Sequence, residues 1–189
     1  MIEKERDTPM NCLTTDRLLL RPLVMADAEA VFAYAVSPNV GPNAGWKPHE
    51  SLAETREVMR AIFVGKEDVW GVITAADRQL IGTVGLIDDP RRSFAGAKML
   101  GYAIGEAYWG QGYATEAAKE VVRYAFLQKR LPILSAYCYP YNLSSRHVLE
   151  KCGFTNEGRL RYCEQLYDGR IVDNLCFSCL RSDYNPASP

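Results

Sequence analysis

A chain of 189 residues and 21.2 kDa, with 48% hydrophobic and 24% charged residues, has the length of one domain with a full core. A net charge of -1 and a pI near 6.2 provide no basic field for nucleic acid or anionic lipid. No run of about 18 apolar residues and no apolar N-terminal core are present, so neither membrane span nor signal peptide is expected, and a cytoplasmic protein follows.

The first ten or so residues and the closing SDYNPASP read as short tails around a core of about residues 14–181, within a single domain spanning 1–189. DRLLLRPL, Asp16–Leu23, reads as the first strand. ADAEAVFAYAV reads as a helix with Asp27 near its start and Ala30, Val31, Tyr34 and Ala35 on one face. SPNVGPNAGW reads as a Pro- and Gly-rich loop, and a second helix crosses Ser51–Val64. VWGVITA and QLIGTVGLI, joined by the polar turn ADR, form a hairpin.

Along the next strand, Lys98–Gly105, bulky Leu100, Tyr102 and Ile104 alternate with Met99, Gly101, Ala103 and Gly105, so one face carries the smaller side chains. A helix over Thr115–Gln128 presents Ala117, Ala118, Val121, Val122 and Ala125 as its apolar stripe. PILSAYCY is a strand, Asn142 the N-cap of a short helix that stops at Gly153, and Phe154–Leu166 and Ile171–Leu180 are strands flanking the Asp168-Gly169 turn. The order is β-α-α-β-β-β-α-β-α-β-β: a three-layer α+β (α/β) domain with a mixed sheet.

Six cysteines, Cys12, Cys138, Cys152, Cys163, Cys176 and Cys179, sit mostly in apolar segments and read as reduced thiols. Cys176 and Cys179 make a C-x-x-C, but in a strand residues three apart face opposite ways and no second pair completes a tetrahedral site, so no metal is expected.

The stretch YWGQGYATEAAKEVVRYAF puts a strand, a Gly-rich turn and a helix in immediate succession, which gathers free backbone N–H groups and the positive end of a helix dipole into an anion site. A plain tight turn is the alternative. A dinucleotide fingerprint is incomplete, because Thr115 occupies the third glycine position and PILSAYCYP holds no acid, and the P-loop Gly-Lys pair is missing.

GYAIGEAYWGQGYATEAAKEVVRYAF together with NLSSRHVLEKCGFTNEGRLR resembles the GCN5-related N-acetyltransferases (GNAT), in the ribosomal-protein (RimJ- and RimL-like) branch. TTDRLLLRPLVMADAEAVF and DGRIVDNLCFSCL extend the likeness over about Thr14 to Arg181. The resemblance implies the GNAT-type, mostly antiparallel sheet flanked by helices. It also implies transfer of an acetyl group from acetyl-coenzyme A to a protein N-terminal α-amine or a small-molecule amine, and often a homodimer. A module that binds coenzyme A as a sensor or scaffold without turnover is the alternative, which a thiol-release assay separates.

In this family the turn binds the pyrophosphate of the cosubstrate. The motif Gln/Arg-x-x-Gly-x-Gly/Ala falls on Trp109 to Ala114, with Gly112 and Ala114 matching and Trp109 departing. The backbone cradle would come from Gly110, Gln111, Gly112, Tyr113, Ala114 and Thr115. Ala103 and Ile104 would offer backbone to the pantetheine and thioester, and Asn142 would meet the pantetheine or serve as a plain N-cap.

Leu149 stands where many superfamily members place a tyrosine acid. The branch points instead to Ser145 to protonate the thiolate and Glu164 to accept the amine proton. Their alternatives are a first-turn hydroxyl and a solvated strand charge. An α-amine, with a pKa of about 7.7–8.0, asks little of such a base, and a lysine near 10.4 asks more. The GPNAGW loop resembles the family's acceptor-side wall, which makes Trp46 and Tyr34 candidate substrate contacts, with packing the alternative. His49 and His147 read as surface or lining residues.

Overall fold

The computed structural model describes residues 12–185; the expected N-terminal tail and Pro186–Pro189 lie outside the described residues. Among the described residues, eight strands form one sheet in the order β1-β2-β3-β4-β5-β6-β8-β7. These are β1 (Leu13–Thr14), β2 (Leu18–Arg21), β3 (Val69–Thr74), β4 (Leu80–Asp88), β5 (Ala97–Ile104), β6 (Ile133–Cys138), β7 (Thr155–Gln165) and β8 (Ile171–Leu180). The helices are α1 (Ala28–Ala35), α2 (Val40–Ala44), α3 (Leu52–Ile62), α4 (Tyr113–Leu127) and α5 (Leu143–Lys151).

Three features depart from the reading of the sequence. The first strand is preceded by a two-residue partner: the chain turns at Thr15–Arg17, so that Leu13 faces Leu20 across an antiparallel pair. The expected loop at residues 37–46 contains α2. Pro42 is tolerated there because it lies in the first turn, where its missing N–H removes no helical bond, and Gly45 ends the helix at φ 91°. The expected C-terminal tail is ordered at its start, where the Tyr184 ring lies 5.2 Å from that of Phe126.

Neighbouring residues of β5 show how the three layers form. Tyr102 packs against the core built on α4, while Ala103 packs against the core of Leu23, Val31, Tyr34 and Met59 built on α1 and α3. Successive strand side chains point to opposite faces, so the two cores lie on the two sides of the sheet. All five residues of the expected α4 stripe are buried.

All pairings are antiparallel except β5 with β6, which is parallel and spans only Ala97–Met99 against Ile133–Ser135. Beyond Met99 the strands part. β6 keeps its full antiparallel partner in β8, whereas the β6-facing side of β5 loses its ladder from Leu100 to Ile104. Backbone groups there need another partner.

The six cysteines are free, and Cys176 and Cys179 differ in environment, the first 3.7 Å from Arg91 and the second buried. Burial pushes the Cys138 and Cys179 thiols up to about 11 and Cys152 up to about 12, which keeps them protonated and weak as nucleophiles near neutral pH. No group of three or more His, Cys, Asp or Glu poised for a metal occurs among the described residues. No helix among them is long and apolar enough to cross a membrane.

Candidate functional site

β5 runs through a short 3-10 turn, Glu106–Tyr108, into Gly110 and Gly112, both in the left-handed region at φ 75° and 83°, and α4 begins at Tyr113. That conformation favours glycine, and a Cβ on Gly110 would meet nothing within 4 Å. The glycines therefore shape the turn and leave its surface open to a ligand. The orphan N–H groups of the first turn of α4 are at the same place.

Arg17, from the segment before β2, anchors this turn. Its guanidinium donates to the Gln111 carbonyl at 3.1 Å and to the Glu116 carboxylate at 2.7 Å, and stacks 4.6 Å above the Tyr113 ring. Burial alone would raise the Glu116 carboxyl, but bonds from Thr15, the Arg17 N–H and the Arg17 guanidinium hold it below its ordinary value. Trp109 donates its indole N–H to the Ile104 carbonyl at 2.7 Å. The departure from the family motif at this position thus closes off one carbonyl at the end of β5.

A cavity of about 400 Å³ opens where β5 and β6 part. β5 contributes Tyr102, Ala103 and Ile104; the turn contributes Tyr108 to Gly110 and Gly112 to Thr115. α2 closes one side through Val40, Asn43 and Ala44, and α5 another through Ser144, Ser145, His147, Val148 and Lys151, with Asn142 at its cap. Of the residues named from the sequence, Ala103, Ile104, Gly110, Gly112, Tyr113, Ala114, Thr115, Asn142 and Ser145 border this one cavity. Gln111 is not in the wall: its carbonyl faces Arg17 and its amide donates to the Ala107 carbonyl at 3.2 Å.

The Asn142 amide is used at both ends. Its oxygen accepts from the Ser145 N–H at 3.0 Å, the cap bond expected, and its nitrogen donates to the Asn43 carbonyl at 3.1 Å. The same side chain that starts α5 straps α2 across the cavity. At the other end of α2, Ser37 and Asn39 each donate to Glu106 at 2.8 Å. The Ser145 hydroxyl is 2.9 Å from the Tyr102 hydroxyl, which also donates to the Ser145 carbonyl at 3.1 Å.

Glu164 is half-buried and lies outside the cavity wall. Tyr139 donates to one carboxylate oxygen and Asn174 to the other, each at 2.8 Å. A Cβ added at Gly45 would come within 3.1 Å of the Tyr139 hydroxyl and 3.5 Å of Glu164, so the end of α2 covers this pair. A bulge in β7 directs the residue: Leu160 faces Asn174 and Glu164 faces Val172, leaving Arg161, Tyr162 and Cys163 opposite Asp173 alone. Tyr162 sits at φ 49° with its N–H held by Asp173 at 2.8 Å.

Tyr34 is a core residue. Only 7% exposed, it bonds Thr83 and its hydroxyl is pushed up to about 12 by burial. Trp46 packs over Gly41 and stands 5.2 Å from the His49 ring, away from the cavity wall. His49 is buried against Thr55 at 2.8 Å, unlike the surface or lining place expected, whereas His147 does line the cavity. Sequence reasoning missed Tyr102, the α2 residues, Tyr139, Asn174 and Lys151. The i, i+4, i+7 spacing of Ser144, Val148 and Lys151 was a usable signal, since it places them on one face of α5.

The Acetyltransferase (GNAT) domain family model matches residues 17–155. The chain is 30% identical over 181 residues to the "Uncharacterized N-acetyltransferase p20" of Bacillus licheniformis, covering 93% of this chain and 99% of that protein. It is 28% identical over 191 residues to the [Ribosomal protein uS5]-alanine N-acetyltransferase of Escherichia coli (strain K12), covering 95% and 96%. Among solved structures, a GNAT-family acetyltransferase from Bacillus anthracis superposes with a TM-score of 0.81 at 24% identity, covering 90% of this chain and 99% of that one, which establishes the fold.

Proposed function

The chain belongs to the GNAT acetyltransferase family and is an acetyl-coenzyme A-dependent N-acetyltransferase, and we propose that its acceptor is a protein N-terminal α-amine or a small-molecule amine. The observation that carries this reading is the shared cavity: the open glycine turn, the unpaired stretch of β5 and the Ser145 hydroxyl all border one space. In this reading the N–H groups of residues 111–115 cradle the pyrophosphate, with the dipole of α4 behind them, and the backbone at Ala103 and Ile104, apart from the Ile104 carbonyl that Trp109 holds, takes the pantetheine. His147 and Lys151 line the α5 side, where phosphate charge would be met.

The acceptor nitrogen attacks the thioester carbonyl, the N–C bond forms, the C–S bond breaks, and the electron pair leaves with sulfur. Ser145 gives the departing thiolate its proton. Glu164, held ready by two neutral donors, takes the proton from the amine directly or through water. Trp46 and Tyr34 support the acceptor side from behind α2. One chain forms one domain, and the family's frequent dimers make a second copy the partner to look for; the cytoplasm is the expected compartment.

The test is thiol release from acetyl-coenzyme A against a panel of α-amino-terminated peptides, lysine side-chain peptides and small amines. Preferential turnover of an α-amine or a small amine supports the reading. Binding of coenzyme A with thiol release at background across the panel contradicts it.

A further inference from the structure

Tyr102 has one hydroxyl proton and two acceptors within reach, both belonging to Ser145: the carbonyl at 3.1 Å and Oγ at 2.9 Å. Tyr102 and Ser145 both line the cavity, from β5 and α5, the elements on its two sides. The serine is fixed at its backbone as well, by the Asn142 oxygen on its N–H at 3.0 Å. What remains free is the direction of two hydroxyl rotors, and only two arrangements satisfy both.

In the first, Tyr102 donates to the carbonyl and its oxygen accepts the serine proton, so that proton is turned away from any ligand. In the second, Tyr102 donates to Ser145 Oγ, and the serine proton has to leave in another direction, toward the open cavity. A sulfur gaining negative charge there favours the second arrangement, because it offers an acceptor for that proton. Burial pushes the Tyr102 hydroxyl well above the ordinary tyrosine value, so it keeps its own proton at neutral pH and acts as a donor.

We infer that Tyr102 is the positioning residue for the acid step: its hydroxyl donates to Ser145 Oγ, aims the serine proton at the departing thiolate, and stabilises the oxygen as that proton leaves. The inference rests on the reading of Ser145 as the proton donor. As the C–S bond breaks, sulfur takes the electron pair and the serine proton, and the serine oxygen recovers a proton from solvent. The alternating pattern of β5 puts Tyr102 on the face toward α4 and α5, but which hydroxyl it meets depends on where α5 begins, and that is set by Asn142.

The test is a double-mutant cycle on kcat, with acetyl-coenzyme A and the best acceptor of the amine panel, for wild type, Tyr102→Phe, Ser145→Ala and the double variant. Thermal melts run alongside. Tyr102→Phe is expected to lower kcat about 10-fold to 100-fold with the KM for acetyl-coenzyme A unchanged, and to add nothing in the Ser145→Ala background. A merely structural tyrosine would instead cost the same factor in both backgrounds. Additive losses, a wild-type kcat in Tyr102→Phe, or a loss confined to acetyl-coenzyme A binding would overturn the inference while leaving Ser145 in place. A wild-type kcat in Ser145→Ala would remove the reading beneath it.

Discussion

Glu164 has no cation within ion-pair distance among the described residues; its two oxygens are held by a phenol and an amide. Neutral donors orient a carboxylate without cancelling its charge, which leaves it free to draw in an ammonium group and receive a proton from it. Glu164→Gln is therefore expected to lower kcat about 100-fold to 10,000-fold while the affinity for acetyl-coenzyme A stays at the wild-type level. The rise in rate with pH would then follow the acceptor amine itself, about 7.7–8.0 for an α-amine. Steady-state kinetics from pH 6 to 9 check this, and an unchanged rate would make Glu164 an ordinary strand charge. The sequence placed Ser145 and Glu164 only through family spacing. Their partners, Tyr102, Tyr139 and Asn174, come from other strands, and no local pattern announces a contact of that kind.

The Gly110–Thr115 turn works through backbone shape, and its glycine spacing made it legible in the sequence. Gly112 holds φ 83°, with the nearest side-chain atom, on Arg17, 3.4 Å from where a Cβ would stand. Gly112→Val is thus expected to lose most acetyl-coenzyme A affinity, whereas Gln111→Ala, whose side chain points away from the cavity, should lose little. Isothermal calorimetry with melting curves decides it, and wild-type affinity in a folded Gly112→Val would refute the backbone cradle. Arg17→Ala, by releasing the Gln111 carbonyl and Glu116, should weaken binding about 10-fold without touching the ligand. α2 was not legible, since a five-residue helix around a proline carries too little periodicity to separate from a loop, and it is held by Asn142 and Glu106 from distant parts of the chain. The β7 bulge was equally silent: its register depends on Asp173 across the strand pair.

At the scale of the molecule, strand and helix order followed from periodicity and turn residues, because most elements carry their own apolar pattern. The parting of β5 from β6 did not follow, since both strands continue with ordinary apolar alternation past the point where pairing ends. The loop after β4 bridges the region near that parting through Asp89, whose side chain is fully buried. It accepts from Ser135 at 2.6 Å, Tyr137 at 2.9 Å, the Arg91 N–H at 2.8 Å and Arg92 at 3.1 Å, and Arg92 continues to Glu157 at 2.7 Å. Burial would raise Asp89, but these donors outweigh it and hold its carboxyl below the ordinary 3.8. With the folded value below the unfolded one, its contribution is full above the unfolded value and disappears as pH falls through the folded value. Acid unfolding monitored by circular dichroism should steepen below about pH 4, and Asp89→Asn should flatten that limb. Asp89→Ala, which takes the acceptor from the Tyr137 hydroxyl and the Arg91 N–H while Arg92 keeps Glu157, should cost about 3 kcal/mol, read as a fall of roughly 6 to 12 °C in the melting midpoint.

A crystal structure of the protein with coenzyme A tests the central claim most directly, that the opening between β5 and β6 receives the cosubstrate for acetyl transfer. The predicted result has pyrophosphate oxygens at about 3 Å from the N–H groups of the Gly110–Thr115 turn, the pantetheine along Ala103 and Ile104, and the sulfur within hydrogen-bonding reach of Ser145 Oγ. Coenzyme A bound elsewhere, or a sulfur that ends away from Ser145, would contradict it.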